Sequence, residues 1–258
     1  MKPLPKRILL WLAGFALLGA LVAVRAPSAW LAASLPALSD GRLRLADPEG
    51  CLWKGKGRLF LVTANGTIHA LGAITWSFSL AGRTALEASW RIEGKHIGAE
   101  SAWIGPRRFG FRELHLSLPA AVALAAAGPH GLAPGLHGDL AITIGKLDCP
   151  WPRPAEVCDL QAMARWEHAG HDALTANTLA DYQFALDAKA GTLQMSWSTI
   201  AGRPEIRGQG EFGAGRWSMN AEVIGDPESL TPLIRLFPDW VRPGARSGEL
   251  VLSAHGKS

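Results

Sequence analysis

Signatures of an active site are what this sequence has least of. Ser39-Asp40-Gly41 and Ser247-Gly248-Glu249 read as turns, because neither joins a strand to a helix within the G-x-S-x-G frame of a nucleophile elbow. No glycine-rich loop leads into the helix of a βαβ unit, so nucleotide binding has no support. Eight histidines occur without a convincing ligand pattern. His168 and His171 are three apart, but their neighbours read as a solvated turn after a strand, and His96 and His115 stand alone on strand-like stretches. Glu87 and Glu93, six apart on the wet face of one strand, could form a carboxylate pair only with help from elsewhere. These absences describe a protein that is not an enzyme and that uses no cofactor and no metal.

A basic surplus on the folded part is missing as well. Lys and Arg number 26 against 22 Asp and Glu, but Lys2, Lys6, Arg7 and Arg25 supply the whole excess, which leaves residues 26–258 balanced. A nucleic-acid binder carries its positive charge on its folded domain, so that class is excluded. Cysteine is scarce. Of Cys51, Cys149 and Cys158, the last two are the expected disulfide pair, because Pro150, Pro152 and Pro154 stiffen the short loop between them. Cys51, beside Trp53 in a predicted strand, is expected to stay a reduced, buried thiol.

What the chain does have is one long apolar run near its start. Residues 8–24 (ILLWLAGFALLGALVAV) carry no charge, with Lys2, Lys6 and Arg7 before them and Arg25 after. A helix of this length covers roughly 25 Å, near the lower limit for a membrane span. Its candidate anchoring residues are Ile8, Trp11, Phe15 and Val24. The cluster of positive charge ahead of it predicts a cytoplasmic N-terminus, with residues 1–7 as the tail, 8–25 as the anchor and 26–258 on the far side. The competing reading is a cleaved signal peptide. Against it, the run is long for such a segment, and Pro27 follows the best small-residue site, Ala26; Ala23 remains as another site. Trp30 sits where an aromatic residue marks the outer interface.

Beyond the anchor the pattern has a period of two. Ile74, Trp76, Phe78 and Leu80 alternate with polar residues, as do Leu86, Ala88, Trp90 and Ile92, then Leu114 to Leu118, Leu140 to Ile144, and Leu160 to Trp166. Side chains alternate across a strand, so each stretch offers one apolar face and one wet face. Hairpins are predicted to turn at Asn65-Gly66, near Gly191, and at Gly213-Ala214-Gly215. Asp47-Pro48-Glu49-Gly50 reads as a turn. The count comes to roughly eleven strands, antiparallel because their connections are short. Two helical interruptions are expected, over residues 119–127 and 226–237. The fold class is therefore mainly β: a single transmembrane helix followed by an antiparallel meander or curved sheet with two short helices. The stretches 40–118 and 136–258 are built alike, which allows a pseudo-repeat. Tryptophans at strand spacing fit a core better than a carbohydrate platform.

Several of these features together resemble the type II secretion system protein N family of Gram-negative bacteria. The anchor and its Pro27…Trp30-Leu31 exit correspond. Gly50-Cys51-Leu52-Trp53-Lys54-Gly55 resembles the family's G-T-L-W-x-G motif, with Cys51 in place of Thr, and Gly72-Ala73-Ile74-Thr75-Trp76 resembles its next segment. Leu118-Pro119 before an apolar helix and the Cys149…Cys158 loop also fit. The resemblance implies a non-catalytic accessory or scaffold component of the inner membrane, facing the periplasm and assembling with other secretion-machine proteins of the inner membrane and periplasm. The lipid bilayer would be met through the anchor. An alternative is an AsmA-like lipid-handling sheet of the envelope. A lipid carrier needs its apolar face open, whereas a scaffold buries it.

Overall fold

Alternating apolar and polar residues leave a strand one face to bury, and this chain satisfies that demand with neighbouring strands in a single sheet. The computed structural model describes residues 11, 14, 25–64, 66–79, 88–105, 107–127, 136–150, 158–171, 180–213, 215–226, 230–231, 234 and 239–257. Helix α1 (Ala29–Leu38) is followed by β1 (Leu43–Gly50), β2 (Lys54–Val62), β3 (Ile68–Ser79), β4 (Ala88–Gly94), β5 (Ile97–Ile104) and β6 (Arg108–Pro119). Helix α2 (Ala120–Ala127) leads to β7 (Leu136–Pro150), β8 (Asp159–His171), β9 (Ala180–Lys189), β10 (Thr192–Gly202), β11 (Glu205–Gly213), β12 (Arg216–Ile224), β13 (Val241–Pro243) and β14 (Glu249–Lys257). Among the described residues the fourteen strands form one sheet in chain order, except that β14 lies between β12 and β13. The pairings are antiparallel, so the stretches 40–118 and 136–258 contribute to one continuous surface.

Register makes that surface uniform. Leu116, Ile142, Ala164, Phe184, Trp197, Gly208, Ala221 and Leu252 stand opposite one another in successive strands from β6 to β14. Directly paired residues share a face, so the row is one apolar line across the sheet. Three clusters anchor it. Leu45, Leu59, Leu61, Leu71, Ile74, Trp76 and Leu118 form the largest, under Leu31, Ala32 and Leu35 of α1 and Val122 and Ala123 of α2. Ala169, Ala180 and Tyr182 form the second, and Val223, Leu230 and Leu250 the third.

The strand count exceeds the expected eleven for identifiable reasons. β5 has small residues at Gly98, Ala99 and Ala102, and β13 has three residues, so neither gives a strong period-two signal. Asp47-Pro48-Glu49-Gly50 is not a turn. Asp47 takes a positive φ of 49° inside β1, the register shifts between Ala46 and Glu49, and the strand continues. The reversal falls instead on Cys51–Trp53, which places Cys51 in a turn, half-buried, and not in a strand. His168 makes a similar bulge, with φ 52°, so His168 and His171 lie on β8 and not in a turn. Pro119 ends β6, and the helix begins at Ala120. Of the second predicted helix, Leu230, Thr231 and Ile234 are described and helical. Asn65, Leu80, Leu86, Glu87 and Ala214 lie outside the described residues. So does the anchor, apart from Trp11 and Gly14, which are helical, and Arg25 at its end. Among the described residues no helix is long and apolar enough to cross a membrane, so the span rests on the sequence alone.

Tyr182, the chain's one tyrosine, is buried beside Trp166 in the second cluster, and burial pushes its hydroxyl up to about 12. Raising the folded pKa above the unfolded value adds stability that is complete below about 10 and is lost as pH rises through about 12, on the order of 2–3 kcal/mol. We expect ultraviolet titration of the folded protein to place its tyrosinate transition near the raised value. Tyr182→Phe should flatten the loss of stability in that alkaline window, measured by denaturant unfolding.

Candidate functional site

The end of β1 meets the segment that follows the predicted anchor. Gly50 takes φ 91°, a conformation glycine adopts without cost, and the chain reverses over Cys51, Leu52 and Trp53. The Cys51 N–H donates to the Lys54 carbonyl at 2.9 Å, closing the turn. All three carbonyls of the reversal find donors. The Trp76 indole donates to Cys51 O at 3.1 Å, the Trp90 indole to Leu52 O at 3.2 Å, and the Phe78 N–H to Trp53 O at 2.6 Å. Trp53 meets Phe78 edge-on at 4.8 Å and stacks with Trp90 at 6.2 Å. Gly55 stands opposite Trp76, and a Cβ there would lie 2.4 Å from the indole ring. A side chain on residue 55 would push the indole off its bond to Cys51.

This turn also holds the exit segment. Leu52 N–H donates to Ala26 O at 2.8 Å, and Pro27 bridges to Cys51. Ala26 and Ser28 are buried, and α1 starts directly after them. At the other end of α1, the Ser39 hydroxyl donates to Leu35 O at 2.7 Å and accepts the Leu43 N–H at 2.9 Å, which steers the chain into β1. The result is a clasp: Gly50, Leu52, Trp53, Gly55 and Trp76, picked out in the sequence by resemblance, converge around the residues that leave the predicted anchor. Sequence reasoning missed Trp90 and Phe78 as members. Their only sequence signal was a place in an alternating strand.

The indole-on-glycine contact recurs. Trp197 faces Gly208 and Trp217 faces Gly256, with ring atoms 2.4 and 2.5 Å from where a Cβ would be; Trp103 faces Gly110 at 3.0 Å. Trp217 further stacks on Phe212 and meets Trp240 edge-on.

The polar face carries shallow hollows. One, of about 800 Å³, is lined by Glu113, Gln161, Asp187, Gln194 and Glu211 among others, and its described lining holds no imidazole, thiol, ammonium or guanidinium. The other candidates stay apart. His115 contacts the Thr143 hydroxyl at 3.2 Å, the His168 N–H donates to Asp181 Oδ1 at 2.7 Å, and Glu93 is exposed on β4. Among the described residues no group of three or more His, Cys, Asp or Glu could hold a metal. Cys149 and Cys158 are bonded, their Cα atoms 4.3 Å apart, at the facing ends of β7 and β8. Cys51 is a free thiol whose sulfur lies 3.6 Å from the Lys54 carbonyl.

The family model for the type II secretion system, protein N, matches residues 41–241, more than three quarters of the chain. The chain belongs to the type II secretion system protein N family. No curated protein matches it, and no solved structure does. Membership makes this protein N chain a component of the type II secretion system, associated with the cell envelope and with other parts of the secretion machinery. The matched region starts after α1 and includes the whole G-C-L-W-K-G turn, Trp76 and Trp90, so most of the clasp is inside it.

Trp76→Phe keeps a ring but removes the donor to Cys51, and should cost about 1–2 kcal/mol in denaturant unfolding. Gly55→Val should cost more, because the indole has to move. Replacing Cys149 and Cys158 by Ser opens a bridge of sequence separation 9. That should lower stability by about 2–3 kcal/mol, with peptide mapping of the unreduced parent recovering the linked pair and a free Cys51.

Proposed function

We propose that this protein N chain is a non-catalytic scaffold of the inner membrane, with residues 1–7 in the cytoplasm, 8–25 spanning the bilayer, and 26–258 forming a periplasmic β domain. The observation that carries the reading is the clasp. Ala26, Pro27 and Ser28, just after the apolar run, are bonded to the first turn of the sheet, and Ala26 and Ser28 are buried, which supports a sheet held close to the anchor. A sheet fixed in this way presents its polar face and its far strands at a constant height to partners in the secretion machine. The neutral domain and the family match both support a part that works by contact.

The expected results are specific. A reporter fused after Ser258 is active only if it is an exported type, and the mature protein in membrane fractions retains residues 1–24. No single exposed His, Asp or Glu changed to Ala abolishes secretion at an unchanged protein level. A cytoplasmic reporter signal, a processed N-terminus, or one essential carboxylate or imidazole in a stable protein would each overturn part of the reading.

A second reading, a lipid-handling sheet, is favoured by one observation. Leu160, Ala162, Leu186, Leu193, Met195 and Trp197 on the apolar face of β8–β10 are only half-buried. Phospholipid recovered with the purified domain in stoichiometric amount would favour it; its absence under gentle extraction favours the scaffold.

A further inference from the structure

Helix α1 presents two unlike faces. Leu31, Ala32 and Leu35 pack into the first core cluster. On the opposite side Ala29, Trp30, Ala33, Ser34, Ala37 and Leu38 are exposed, Trp30 at 54% and Leu38 at 70%. At about 100° per residue these positions form one continuous strip along the helix. An outward helix face is ordinarily charged or polar, yet none of the residues of α1 carries a charge. Its one exposed hydroxyl is turned back on the helix, Ser34 Oγ donating to Leu31 O at 3.2 Å.

Position says what covers this strip. α1 begins five residues after Val24, the end of the apolar run. An extended chain reaches at most about 3.5 Å per residue, so Ala29 lies within roughly 18 Å of that end. The bonds at Ala26 and Pro27 tie the same few residues to the sheet and hold α1 beside them. Exposed Arg25 precedes the helix and exposed Arg42 follows it, the arrangement in which basic side chains meet lipid phosphates on either side of an apolar strip. We propose that the outer face of α1 lies in the headgroup layer of the bilayer, so that the sheet has a second membrane contact beside the anchor. The proposal rests on the anchored topology given above. A single span allows the domain to swing; a helix lying along the surface fixes its tilt as well.

The test uses the full chain with Cys51→Ser, labelled with bimane at Ser34→Cys, or at Glu222→Cys on β12 as a wet reference, in phosphatidylcholine–phosphatidylglycerol vesicles. Near-ultraviolet circular dichroism checks that each labelled chain folds. The Ser34 label should be quenched several-fold more than the reference by headgroup spin-labelled lipid, and several-fold less by iodide. Adding Trp30→Glu and Leu38→Glu should return it to reference behaviour. Equal quenching at both positions would overturn the proposal, and so would shielding of the Ser34 label from both quenchers, because the strip would then be covered by protein. Alkaline extraction of the same vesicles separates the two levels. A chain that is released refutes the anchor and the helix contact together, whereas a retained chain with a wet Ser34 label refutes the helix contact alone.

Discussion

A single layer of strands must shield its apolar face with little but its own side chains, and the rest of this structure depends on how it does so. Two packed sheets interdigitate across about 10 Å and exclude water from both inner faces. Here the cover comes from α1 and α2 over the first strands and from Leu230 over the last. Between those ends the shielding is lateral. Trp197 lies across Gly208 and reaches Gly210, so one indole covers the backbone of β11 where side chains are absent. The same shielding recurs at Gly55, Gly110 and Gly256.

The same contact, placed at Gly55 and Trp76, does a second job at the start of the sheet. An indole lying flat on glycine points its N–H outward, and at this position the N–H meets a turn carbonyl. Packing of the sheet and attachment of the exit segment are therefore one set of interactions. Loosening the Trp76 ring would loosen the turn and with it the bonds to Ala26 and Pro27. An open sheet also has edges to protect. The outermost strands are blunted: β1 by Pro48 and the Asp47 bulge, with Arg58 paired to Asp47 and Lys56 to Glu49 at 2.9 Å, and β13 by its length and Pro243.

Strands with large apolar residues at every second position were legible in the sequence, β3 and β8 to β12 above all, because alternation alone sets which face is buried. β5 was not, since glycine and alanine at alternate positions look the same as a loop. The bulges at Asp47 and His168 were read as turns. A single residue at positive φ has the same local sequence cost in either setting, and only pairing with the next strand decides between them. The clasp was half legible. Gly50, Leu52, Trp53, Gly55 and Trp76 stood out by resemblance, but their chemistry depends on Trp90 reaching Leu52 across 38 residues of chain, a contact that no local pattern encodes.

The half-buried middle of the apolar face is where scaffold and lipid carrier part. A groove for acyl chains needs depth, with apolar walls rising on both sides of an open floor. In β10 to β12 the floor is occupied: Trp197 covers the glycines of β11, and Phe212, Trp217 and Trp240 form a run of ring contacts over Gly256. Large rings laid flat on glycine make the face level instead of recessed. The hollow that holds Glu113, Asp187 and Glu211 would repel a phosphate, whereas two others carry Arg207 and a fourth Lys54, Lys56 and Arg91, so the hollows share no single charge. Rings seated over the glycines of β11 and β14 leave little room for acyl chains against β10 to β12, and that is the physical argument for the scaffold over the lipid carrier.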